Sequence, residues 1–148
     1  MIAAFLVLSA VFTANNAEIV VDGAASPVVR FAAQEAKTFL SQALSCEIPV
    51  VAAPTDGRTS LVLGANVWSS GAGLSTNELS RDAFVIRACG SRVYVLGRDS
   101  ATVDPSAVMR NLGGWSGVVF ERGTLFGVYD FLERYCGCEW LSPTTSVV

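Results

Sequence analysis

Hydrophobic and polar positions along this chain alternate between two periods. Residues 18–22 are short and β-branched, with Gly23 behind them, and predict a first strand. Ser26-Pro27 then opens a helix, with Ser as the N-cap and Pro at the first helical position, where its missing N–H is harmless. Val28, Ala32, Ala36, Phe39, Leu40 and Ala43 form its apolar stripe, and Arg30, Gln34, Lys37 and Ser41 lie outside it. Residues 48–52 predict a short strand, placed at an edge by Pro49. After a turn at 54–57, residues 60–64 are apolar enough to be a central strand. Residues 66–80 are rich in Ser and Gly and predict a loop. Residues 82–88 and 92–97 predict two strands joined as a hairpin through Cys89-Gly90-Ser91. Residues 98–115, with Pro105 and Gly113-Gly114, predict a second long loop, and 118–120 an extended lead-in or an added short strand.

The last segment is the most informative. Leu125, Val128, Tyr129, Leu132 and Cys136 fall on one helical face, while Asp130, Glu133 and Arg134 point away. Thr124 is placed to cap the start and Gly137 to stop the helix in the left-handed conformation. Gly127 is unfavourable inside a helix unless something packs closely on the backbone there. A short exit strand follows, carrying Trp140 and Leu141. The order predicts an α+β fold: one mixed sheet of about four to six strands with two helices packed on it.

Composition narrows the chemistry. At 148 residues there is room for one domain with a sizeable core. The net charge of −3 and the scattered arginines leave no footprint for nucleic acid. Histidine is absent, which excludes Ser-His-Asp and Cys-His nucleophile systems within the chain and removes the commonest zinc ligand. The four cysteines, at 46, 89, 136 and 138, include one C-x-C pair with no second pair to complete a four-thiolate site. They read as small buried apolar groups, with one disulfide open if the protein is exported. No metal, cofactor or catalytic residue is assigned. Residues 2–12 form an uncharged apolar run followed by small residues, which reads as a secretory signal peptide over 1–17. The run is too short to span a bilayer. The mature chain is therefore expected to begin between Ala14 and Glu18, in a secreted or periplasmic protein free of the membrane after cleavage.

Arg122-Gly123-Thr124, Gly127-Val128-Tyr129-Asp130-Phe131-Leu132-Glu133 and Gly137-Cys138-Glu139-Trp140 before Pro143 resemble a known domain. It stands ahead of the catalytic barrel in beta-N-acetylhexosaminidase-like and alpha-glucuronidase-like glycoside hydrolases. The helix motif at 33–40, the I-P-V segment, the L-V-L-G strand and the D-x-F-V-I-R hairpin follow in the same order, so the resemblance covers roughly 18–143. It implies a hexosaminidase N-terminal-domain-like α/β unit, with residues 144–148 a truncated linker toward a missing (β/α)8 barrel. The implied role is non-catalytic, stabilising that barrel, because the family's acid/base carboxylates sit on the barrel. Arg122, Phe126, Tyr129 and Trp140 are the expected docking residues.

Two other readings remain. A free-standing carbohydrate-binding module would use Trp68 or Trp115, while either Trp tucked into the core is the plainer alternative. A complete small glycosidase would need two opposed carboxyl groups. Glu121, Asp130, Glu133 and Glu139 are the densest acidic group, and Asp130 and Glu133 are expected on a solvated helix face. Gly71-Ala72-Gly73 lacks the third glycine of a dinucleotide fingerprint and reads as loop.

Overall fold

A computed structural model describes the backbone of residues 12–112, 119–142 and 145–147, and the side chains of 12–110 and 119–139. Five strands form one mixed sheet in the order β2-β1-β3-β5-β4: β1 (Ala17–Val21), β2 (Val50–Val51), β3 (Thr59–Leu63), β4 (Phe84–Cys89) and β5 (Arg92–Gly97). Strand β1 is parallel to both its neighbours, β3 is parallel to β5, and only β4 runs antiparallel, as the hairpin partner of β5. The α+β class and the single mixed sheet agree with the sequence reading.

Four helices are seen among the described residues: α1 (Pro27–Ala43), α2 (Val67–Gly71), α3 (Pro105–Leu112) and α4 (Gly123–Cys136). Helices α1 and α4 lie side by side on one face of the sheet, and α3 packs against α1. Beneath them run two cross-strand rows, Ile19–Leu61–Val93 and Val21–Leu63–Val95, all buried. The opposite face carries Val20, Val62, Tyr94 and Leu96, covered by Trp68, Ala72 and Leu74 from the β3–β4 connection. With both faces covered, the inner strands need apolar residues on both sides, which is why β1 and β3 lack alternation.

The two long loops of the sequence reading each contain a helix. Within 66–80, Asn66 builds α2: its Oδ1 accepts from the Trp68 and Ser69 N–H groups, and the Ser69 hydroxyl accepts from the Asn66 N–H. That reciprocal cap supplies in one turn what propensity does not. Within 98–115, Pro105 starts α3, where its fixed φ suits a first turn. Residues 119–120 belong to no assigned strand or helix. Trp115, the glycines at 113, 114 and 117, Pro143 and residues 1–11 of the expected signal peptide lie outside the described residues.

At the chain's end β6 (Glu139–Ser142) pairs antiparallel with β7 (Thr145–Val147), so part of the stretch expected as a linker is a strand. At the other end, residues 12–17 are built into the fold. Phe12 is buried edge-on against Phe131, with ring centroids 6.0 Å apart, and the Asn16 carbonyl accepts from the Thr59 N–H.

Candidate functional site

Three parallel strands end side by side, and the residues at or just past their ends, Asp22, Gly64 and Gly97-Arg98-Asp99, line a crevice with a volume of about 800 Å³. From β1 the chain leaves through α1 on one face, and from β3 it leaves through α2 on the other. The crevice therefore opens where successive connections part to opposite sides of the sheet, the position at which open sheets carry their sites.

Its floor is the junction between β5 and α4. The expected cap at Thr124 proves to be something else. Arg122 is the N-cap residue, with no capping bond from its side chain, and Thr124 lies inside the first turn. Asp99, from the neighbouring chain segment, supplies the cap: Oδ1 accepts from the Thr124 N–H at 3.0 Å and Oδ2 from its hydroxyl at 2.5 Å. The Thr124 hydroxyl accepts in turn from the Gly97 N–H. Burial pushes the Asp99 carboxyl up to about 6; the Thr124 bonds pull the other way and nearby Glu121 adds to the rise. Glu121 is itself ion-paired with Arg98 at 2.5 Å.

Glycine makes this junction possible. A Cβ on Gly97 would stand 2.5 Å from the Gly123 backbone, and one on Gly123 equally close to the Ala83 carbonyl. One turn on, a Cβ on Gly127 would meet Val95 Cγ1 at 2.6 Å. The costly glycine of the helix thus marks where α4 lies on β5, and the Arg-Gly-Thr-x-x-Gly spacing encodes a helix seated on a strand.

The expected docking residues are spread out. The Arg122 guanidinium lies 5.1 Å from the Phe120 ring centre and 5.0 Å from that of Phe126, both half-exposed or less. Tyr129 faces α1, where its hydroxyl donates to Glu35 Oε2 at 2.8 Å. Burial, with the Glu35 carboxylate beside it, pushes its phenol well above the ordinary value. The Trp140 side chain lies outside the described residues. Phe131 of the same helix is fully buried.

The acidic group does not converge. Asp130 pairs with Arg134 four residues on, at 2.8 Å, and Glu133 and Glu139 are exposed, while Glu121 sits at the crevice beside Arg98. Trp68 is half-buried against the second sheet face, the core-tucked alternative weighed for it. All four cysteines are free thiols. Burial pushes Cys136 up to about 12 and raises Cys138 as well, which makes both poor nucleophiles. Among the described residues no group of His, Cys, Asp and Glu is arranged to hold a metal ion, and no helix is long and apolar enough to cross a membrane.

Sequence reasoning passed over Asp99, Asn66 and Glu18. Glu18 is buried on β1, where Oε1 accepts from the Ser60 hydroxyl and the Thr55 N–H, both at 2.7 Å. An acidic residue opening a short apolar strand was the available signal for it. Asp99 and Thr124 are 25 positions apart and had none.

No protein-family description and no curated protein matches the sequence. Among solved structures, a family GH115 4-O-methyl-alpha-glucuronidase with specificity for decorated arabinogalactans is similar, with a TM-score of 0.55 and 14% identity. The fold resembles that of a small part of this larger protein. The match covers 82% of this chain and 14% of that one. A GH138 enzyme targeting pectin rhamnogalacturonan II also matches, at 18% identity and a TM-score of 0.43, over 89% of this chain and 11% of that one.

Proposed function

We propose that this domain is a non-catalytic accessory domain of an exported glycoside hydrolase-like protein, and that it packs against and stabilises a catalytic (β/α)8 barrel. The observation that carries the reading is the coverage: a match over 82% of this chain takes up 14% of the hydrolase. The acidic group of the last segment supports it: Glu121, Asp130, Glu133 and Glu139 lie in separate surroundings, whereas glycoside hydrolysis needs two carboxyl groups facing each other roughly 5–9 Å apart. The docking surface we propose is the outer edge of α4, with Arg122 and Phe126, continuing into Trp140. Tyr129 acts behind that surface, holding α4 on α1.

Purified protein is expected to leave aryl glycosides intact. Turnover that disappears in Glu121→Gln or Glu133→Gln would overturn the reading. In a longer parent carrying the barrel, Phe126→Glu is expected to lower the barrel's melting temperature and leave the isolated domain's unchanged.

A further inference from the structure

The crevice at the carboxyl ends of β1, β3 and β5 has a chemistry that selects its ligand. In open sheets this position commonly receives phosphate on helix amino termini. Here the helix amino termini around it are capped from within. Ser26 Oγ accepts from the Val29 N–H, Asn66 Oδ1 from two N–H groups of α2, and Asp99 from Thr124. Arg98, whose guanidinium is paired with Glu121 and also donates to the Leu79 carbonyl, is the cation among the lining residues. Three carboxyl groups, those of Asp22, Asp99 and Glu121, line the crevice with it. An anion entering this site would displace caps and meet carboxylates.

What the crevice offers is acceptors beside a small apolar patch. Asp22 holds the Ala24 N–H through Oδ1, leaving Oδ2 for a ligand. Ala65 and Val67 are exposed in its lining, Val67 at 69%, and buried Val29 lines it with them. Its volume lies within the usual range for small-molecule sites. A ligand with hydroxyl donors along its edge and C–H groups on its face satisfies both parts of the lining.

We propose that this crevice binds a neutral pyranose sugar, its C–H face over Ala65 and Val67 and its hydroxyls donating to Asp22 and Glu121. The crevice adjoins the α4 edge proposed for docking, Glu121 being next to Arg122, but the proposal does not depend on that reading, which is tested by activity and barrel stability.

The test is an amide chemical-shift titration of the whole chain with methyl glucoside, glucosamine, glucuronate and inorganic phosphate in parallel. Methyl glucoside is expected to give saturable, millimolar shifts centred on Ala24, Gly64, Ala65 and Ala101. Asp22→Ala and Val67→Asp should each weaken binding roughly tenfold. Val67 is exposed, so its variant keeps the fold if the turn at Asp22 loosens. Absence of saturation by methyl glucoside overturns the proposal, as do shifts centred elsewhere or full binding by both variants. Tighter binding of glucosamine would make this a cation site, and tighter binding of glucuronate or phosphate an anion site; either result equally overturns it.

Discussion

At the scale of single residues, two positions on the β5–α4 junction have opposite characters. Gly127 sits mid-helix, where alanine is ordinarily favoured by about 1 kcal/mol. Here the added methyl would press on Val95 Cγ1, a stiff β-branched group in the core. Overpacking of this kind costs about 1–3 kcal/mol, so Gly127→Ala is expected to destabilise on balance. A urea midpoint that rises in the variant would contradict this. Asp99 is a case of proton linkage. Its folded value of about 6 lies above its ordinary 3.8, so between these the folded state binds the proton more tightly than the unfolded chain. Stability from this group is therefore fullest below pH 3.8 and is lost as pH rises to about 6, by roughly 2–3 kcal/mol at most. Asp99→Asn is expected to flatten that part of the pH–stability curve, and an unchanged slope would show that Asp99 does not titrate there.

Among elements, the pairing of α1 with α4 joins the two most regular parts of the sequence. Helix α1 is written locally: Ser26 caps it and Pro27 starts it, and its buried residues Val28, Ala32, Ala36 and Leu40 follow the helical period. Helix α4 depends on its surroundings, since its cap comes from Asp99 and its glycine from contact with β5. Their mutual orientation is pinned by Tyr129 and Glu35. Tyr129→Phe in the isolated domain is expected to cost about 1–2 kcal/mol, because a hydrogen bond to a charged partner is lost at a partly buried site. If the variant instead left the domain's stability intact and weakened only a longer parent, Tyr129 would belong to the docking surface.

For the molecule as a whole, the amino terminus is where the proposed leader meets the folded core. We propose cleavage between Ala14 and Glu18, and Phe12, which packs on Phe131, lies on the leader side of that cut. Amino-terminal sequencing of secreted protein is expected to read a start within those residues, and a mature form retaining Met1 would rule the leader out. In the unprocessed chain Phe12→Ala should cost about 3–5 kcal/mol, the usual price of emptying a buried aromatic position. Protein cut at the proposed site would lack that contact, so comparing the stabilities of the two forms measures how much Phe12 contributes.

What the sequence determined by itself was whatever a local pattern encodes. Ser26-Pro27 and the stripe behind it wrote α1. Cys89-Gly90-Ser91 between two β-rich runs wrote the hairpin, and Gly137, at φ 71°, the end of α4. The apolar run before Gly64 placed β3 in the sheet's centre. The single mixed sheet with its helices followed from the order of these elements. Tertiary structure alone decided the rest, because the information lies between distant residues. Asp99 reaches Thr124, Tyr129 reaches Glu35, and Gly97 meets Gly123, each pair far apart in the chain. The short helix at Val67–Gly71 was hidden in polar sequence because its stability comes from a cap and from packing on the sheet, not from periodicity. The crevice was invisible for the same reason: it belongs to no segment, and exists only where three strand ends are brought side by side.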